Sequence, residues 1–243
     1  MAGTVMSFGA GEFSRRRKVF RELAARVGAE GLLLSRSADV RYLCGFSGSS
    51  GLALLLGRSG YFLTDFRYRE QAALEVTGLR IVICEDGFGE ALKGILARGA
   101  AGEKRARKKI GFDPRSLSYS ELSELRRNLR GTAALAPLKT DLQALRARKS
   151  RSEVEVLRKG LRVAEWAFRE ALGRMARDTT ERELALEVDY AARKKGAEAP
   201  AFETIVASGS RGALVHARPS RKRLAGATVV DWGVVYGGYN TDC

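Results

Sequence analysis

Val229-Val-Asp-Trp-Gly-Val-Val-Tyr-Gly-Gly-Tyr-Asn-Thr-Asp242 decides how the back half of this chain folds. Residues 228–236 read as a strand. Gly237-Gly238 is a two-residue turn, where glycine supplies the positive φ that tight hairpins need. Residues from Tyr239 onward return. With a two-residue turn, Tyr236 pairs with Tyr239, Val235 with Asn240, Val234 with Thr241 and Gly233 with Asp242. Cross-strand partners share a face, and so do residues two apart on one strand. Asp231 and Asp242 are therefore diagonal neighbours, about 5–8 Å apart at the backbone. Gly233 is expected to leave room between them. Two carboxylates this close repel, and a divalent cation between them relieves the repulsion. Oxygen ligands of this kind suit Mn²⁺ or Mg²⁺ better than a thiolate-type zinc site. The same geometry also fits Asp242 as a solvated strand end and Asp231 as the partner of an arginine. An acid–base dyad is a third reading, with no further group pointing to a reaction.

Working upstream, residues 152–175 form one long amphipathic helix. Val156, Val163 and Leu172 mark its apolar face, and Glu153, Arg158, Arg169 and Arg174 lie outside it. Thr180 followed by Glu183 is a capping box that starts a second helix, ending near Gly196. Residues 202–206 then turn to β structure. The first ~135 residues alternate strands (31–34, 79–84, 109–112) with helices (13–27, 66–76, 89–97). Residues 52–56 and 61–64 form a hairpin between them. Ser118 caps a helix to Leu129, with Glu121 as its capping-box partner. This front part is α/β and shows no catalytic set. The pattern changes near residues 137–141, which places a boundary between Leu138 and Ser152 and predicts two domains, 1–140 and 141–243.

The chain has 243 residues and is 45% hydrophobic, which supports a packed core. No apolar run approaches the roughly 20 residues of a membrane span, and residues 1–13 lack the pattern of a secretory signal. Cys44, Cys84 and Cys243 are far apart and form no CxxC pair, as expected of a reducing cytoplasm. The net charge is +15. Its basic residues are scattered, including a run at 15–18 on the first helix. The densest run, 104–109, has no interleaved aromatics for stacking bases. A basic solvated surface is expected, without a nucleic-acid partner. His216 is the one histidine of the sequence, so an HExxH site and a multi-histidine zinc site are both excluded. Ser208-Gly209-Ser210 lacks the GxSxG frame and reads as turn chemistry.

The segment from Asp231 to Asp242 resembles the first metal-ligand segment of the pita-bread metallopeptidases, the family of aminopeptidase P, prolidase and methionine aminopeptidase. Phe202-Glu-Thr-Ile-Val-Ala-Ser-Gly209 and His216-Ala-Arg-Pro-Ser220 resemble the stretch leading to that family's active-site histidine. Arg148-Lys-Ser-Arg-Ser-Glu-Val-Glu155 resembles the start of its catalytic domain. Val40-Arg-Tyr-Leu-Cys-Gly-Phe-Ser-Gly48 and Leu63-Thr-Asp-Phe-Arg-Tyr68 resemble the creatinase-type N-terminal domain of Xaa-Pro aminopeptidases and prolidases. That front domain argues against methionine aminopeptidase.

The resemblance implies an α/β creatinase-type N-terminal domain followed by an α+β pita-bread catalytic domain. It implies a cytoplasmic exopeptidase that removes the residue before proline by means of a hydroxide bridging two divalent ions, with Mn²⁺ first and Co²⁺ or Zn²⁺ as alternatives. Asp231 and Asp242 would be metal ligands, and His216 would face the substrate carbonyl. Partners would be peptides with proline second and another copy of the chain in a dimer. Val215 stands where the family often has proline, and the 216–231 loop is shorter than usual. The later histidine and two glutamates of the family site have no counterpart before Cys243. A fragment with weak metal binding and no activity of its own is therefore expected. A non-catalytic pita-bread binding protein and a creatinase-type C–N hydrolase are the competing readings.

Overall fold

Gly31–Leu34 (β1) is buried on both faces, and the front half is laid around it. The structure, a computed structural model, describes residues 8–98 and 107–243. Residues 104–106 of the densest basic run lie outside these. β1 pairs antiparallel with Leu52–Leu56 (β2), which continues through a hairpin into Ser59–Thr64 (β3). Arg80–Ile83 (β4) lies parallel to β3. On the other side, Lys108–Phe112 (β5) lies parallel to β1, and Ala133–Pro137 (β6) parallel to β5. The sheet order is β4-β3-β2-β1-β5-β6.

Side-chain alternation along β1 sends Leu32 and Leu34 to one core and Leu33 to another. The first core is covered by Ala10–Arg26 (α1), Ser37–Cys44 (α2) and Ala72 of Arg69–Glu75 (α3). The second is covered by Phe88–Arg98 (α4) and Tyr119–Asn128 (α5). Helices on both faces explain why the strands read as continuous apolar runs. The capping box of Ser118 and Glu121 is present.

Several expectations are corrected. The basic run on α1 is solvated only at Arg15 and Lys18: Arg16 and Arg17 are buried. The Arg16 guanidinium lies 4.0 Å from the Tyr42 ring centroid and donates to the Tyr42 carbonyl. Arg17 donates to the Thr77 carbonyl. Both heads satisfy backbone acceptors while their stems fill core space. The short α2, β6 and Gln143–Ala147 (α6) were not anticipated.

The chain divides between Arg148 and Lys149, inside the 138–152 interval expected for the boundary and past its 140/141 division. Residues 141–148 stay with the front unit because Leu142 is buried in its core and Arg146 donates to Asp39 at 2.8 Å.

The second unit opens with Arg151–Gly173 (α7) and Glu181–Lys194 (α8), each begun by a capping box, Ser150 with Glu153 and Thr180 with Glu183. Alanines line their contact: Ala164, Ala167 and Ala171 on α7, Ala185, Ala191 and Ala192 on α8. Small residues let the backbones approach closely. The apolar face of α7 holds for Val156 and Val163 but not for Leu172, which is 44% exposed. Glu153, read as outside the buried face, is buried, because it closes the cap and accepts a hydrogen bond from the Tyr239 hydroxyl at 2.8 Å.

The strand expected over 228–236 is two strands. Thr228–Asp231 (β9) pairs with Ile205–Ser208 (β8). Val234–Tyr236 (β10) pairs with Ala199–Pro200 (β7) and Tyr239–Asn240 (β11). The chain changes partners at Trp232-Gly233. The space a Gly233 Cβ would need is taken by the Thr241 carbonyl oxygen and the Phe202 ring. Gly233 thus serves a close backbone crossing, not the open space between carboxylates expected from the sequence.

Candidate active site

The hairpin keeps its expected register despite the break. Tyr236 pairs with Tyr239 and Val235 with Asn240. Gly237 and Gly238 have φ of +58° and +75°, the positive values of a tight hairpin turn. Beyond β11, the Thr241 N–H donates to the Val234 carbonyl and the Cys243 N–H to the Trp232 carbonyl, both at 2.9 Å. Those bonds set Asp242 opposite Gly233, with Asp231 two residues before it.

Besides the Tyr239 bond to Glu153, contacts at Phe168, Ala164 and Gly160 seat the hairpin on α7. The Trp232 indole stacks on Phe168 with centroids 4.4 Å apart, and its N–H donates to the Ala164 carbonyl. Gly160 lets Thr241 press on the helix: a Cβ there would lie 2.8 Å from Thr241 Cγ2. The Thr241 hydroxyl accepts from the Val234 N–H at 2.9 Å.

Asp231 ends β9 half-buried, and Asp242 is exposed. Water therefore screens Asp242, and repulsion alone does not demand a cation. The Cys243 thiol reports both carboxylates. Burial pushes it up, and the negative charges of Asp242 and Asp231 push it further. The pair offers hard carboxylate oxygens, which fit a divalent cation such as Mn²⁺. Among the described residues, no group of three or more His, Cys, Asp or Glu side chains is placed to hold a metal. His216 is accordingly not gathered with the aspartates into one ligand set. It is exposed, between exposed Val215 and buried Ala217.

The loop carrying His216 is fastened by a residue that sequence reasoning passed over. Glu181, the first residue of α8, is fully buried. Its carboxylate accepts from the Ser208 N–H at 2.9 Å, Arg211 Nε at 3.1 Å, the Ser220 N–H at 3.0 Å and the Ser220 hydroxyl at 2.6 Å. Burial works to raise its pKa, but the Ser208 N–H, both Ser220 groups and Arg211 outweigh it and bring it down to about 2. The signal available in the sequence was a second glutamate beside the cap: Glu183 closes the capping box, leaving Glu181 for other partners. Gly209 and Ser210 do serve as turn chemistry, with Gly209 at φ +57° opening a 3-10 turn over Gly209–Ala213, while Ser208 ends β8.

A mixed sheet between helical layers, followed by an αα pair carrying a carboxylate hairpin, defines a two-part protein of the creatinase and prolidase type. Residues 16–148 match the creatinase/prolidase N-terminal domain and residues 155–243 match metallopeptidase family M24, so the chain belongs to the family that joins these two parts. It is 34% identical over 91% of its length to an uncharacterised peptidase, YqhT, of Bacillus subtilis, covering 62% of that protein. It is 29% identical over 88% of its length to an Xaa-Pro dipeptidase of Pyrococcus horikoshii, covering 58% of it. Among solved structures, the Xaa-Pro dipeptidase from Bacillus anthracis superposes with TM-score 0.85 at 29% identity, over 95% of this chain and 63% of that one. The X-Pro aminopeptidase from Thermotoga maritima gives 0.81 at 28% identity, over 91% and 63%. The chain thus spans about three fifths of the relatives it matches.

Proposed function

We propose that this chain contributes Asp231, Asp242 and His216 to a metal-dependent exopeptidase that cleaves the bond between a first residue and a following proline. The hairpin register supports this reading, because it sets Asp242 opposite Gly233, two residues along the chain from Asp231, on a strand pair seated on α7. The relatives named Xaa-Pro dipeptidase and X-Pro aminopeptidase support the substrate class. When bound, divalent cations would activate water and polarise the scissile carbonyl. Asp231 and Asp242 would hold them, Mn²⁺ being the first choice. His216, on its fastened loop, would hydrogen-bond the substrate carbonyl and stabilise charge that develops on it. Proline at the second position removes an amide N–H from the scissile bond, which makes a donor facing the carbonyl the main polar recognition left there.

Titration of Mn²⁺ into the chain and into Asp231→Asn tests the reading. The variant should bind roughly tenfold more weakly, a difference of about 1.4 kcal/mol. Equal binding by both proteins removes the hairpin from consideration as a metal site. In a protein that supplies the remaining ligands of the site, turnover of Ala-Pro but not Ala-Pro-Gly marks a dipeptidase, and turnover of both marks an aminopeptidase.

A further inference from the structure

The Glu181 carboxylate joins two points of chain that the 216 loop separates. On one side are Ser208, which ends β8, and Arg211; on the other is Ser220. The neighbouring backbone adds to the closure. The Glu181 N–H donates to the Lys222 carbonyl and the Arg182 N–H to the Ser220 carbonyl, each at 3.0 Å. Arg211 has a second task, since its Nη2 donates to the Arg218 carbonyl at 2.7 Å, inside the loop it helps close. His216 lies between Arg211 and Arg218. Buried Ala217 pins the backbone beside it, while Leu214 and Val215 are 55% and 82% exposed. An exposed loop of this length has few apolar contacts to hold it, so its shape depends on these polar ties.

We propose that Glu181 is the positioning residue for His216: one buried carboxylate closes the 208–220 loop into a ring and so fixes where the imidazole is presented to substrate. The functional half of this statement rests on the reading of His216 given above. Charge is central to the device. A carboxylate accepts all of these bonds at once, whereas an amide of the same shape sets an NH₂ group against N–H donors. Length matters as well, because Asp at this position is one methylene shorter and cannot reach Ser208 and Ser220 together.

The single histidine makes the test direct, because the chain gives one imidazole resonance set in its NMR spectrum. In Glu181→Gln and Glu181→Asp the His216 ring signals should shift and broaden. Trypsin should cut between Arg211 and Arg223 roughly tenfold faster than in the wild type, since cleavage follows the open population. Ser150→Ala serves as the control for general destabilisation. It removes the α7 cap in the same unit and should leave the His216 signals and the loop cleavage rate in place. His216 signals in Glu181→Gln that superpose on the wild type overturn the proposal, as does a Ser150→Ala variant that loosens the loop equally. A separate arm compares the wild type in diamagnetic Mg²⁺ before and after Ala-Pro is added. Movement of the His216 signal supports its role toward substrate. A silent signal overturns that role without involving any Glu181 variant, so the two failures are distinguishable.

Discussion

Burial would push the Glu181 carboxyl up, yet the donors gathered on it hold it at about 2, so it stays ionised through the acid range. The sign of the linkage follows. A carboxylate whose pKa is depressed in the folded state adds stability that is complete above its unfolded pKa and is lost as pH falls through the folded one. In the wild type, the Glu181 contribution should therefore be whole above about pH 4.5 and shrink toward pH 2. Glu181→Gln should cost about 3 kcal/mol at pH 7, because buried donors lose a charged acceptor. Across pH 4.5 to 2 the gap between the two proteins should close, as read by urea midpoints. A gap that stays constant over that range means the residue acts by shape and not by charge. The sequence marked Glu181 only as a second glutamate beside a cap, and its role was hidden because its partners stand at positions 208, 211 and 220. The register that sets Asp242 opposite Gly233 was legible because a two-residue glycine turn fixes it locally, whereas the pairing of Asp231 with Ile205 was not.

At the scale of elements, two glycines seat the hairpin, and what each would strike separates them. Alanine at Gly160 meets side-chain atoms, Thr241 Cγ2 at 2.8 Å and Tyr236 Cβ at 3.2 Å. Neither yields by rotation, since the Thr241 hydroxyl is tied to the Val234 N–H and a Cβ does not move with χ1. A shift of a few tenths of an ångström relieves them, and a helix-propensity gain of about 1 kcal/mol offsets its cost. Alanine at Gly233 strikes a backbone carbonyl, which moves only if the returning strand moves. Gly233→Ala should thus cost about 2 kcal/mol and weaken Mn²⁺ binding, while Gly160→Ala changes both little. Calorimetric titration beside urea unfolding checks the pair, and equal effects from the two variants contradict the account. The caps at Ser118 and Thr180 were legible because a capping box is complete within four residues. The break at Trp232-Gly233 was not, because it depends on which strands lie alongside. β9 takes β8 as its partner, while β10 takes β7 and β11. The Arg16 and Arg17 burial was hidden for the same reason, since their acceptors lie at Tyr42 and Thr77.

At the scale of the whole molecule, the front unit ends on α6, held by Arg146 reaching Asp39 across most of that unit's sequence. Asp39 is 1% exposed, and its Oδ2 has no hydrogen-bond partner among the described residues. Burial pushes its pKa up against the pull of Arg146 and Arg36. Arg146→Ala should destabilise the front unit by about 3 kcal/mol at neutral pH, because it strips a buried carboxylate of its main counter-charge. Since a neutral acid tolerates burial better, the deficit should shrink as pH falls toward 4, and a deficit independent of pH argues against the charge explanation. The strand order carries a last consequence, for the sequence of events in folding. β1 meets β5 by pairing Gly31 with Ile110, so the front sheet closes only after a long loop is brought round. In the second unit the α7–α8 pair is local, whereas the hairpin docks on α7 across 68 residues, from Trp232 to Ala164, and across 86, from Tyr239 to Glu153. Low contact order favours speed, so the helix pair should organise before the front sheet closes and before the hairpin docks. Trp232 gains its stacking partner Phe168 only at that docking step. In stopped-flow refolding, the far-ultraviolet helical signal should recover ahead of the fluorescence change of Trp232.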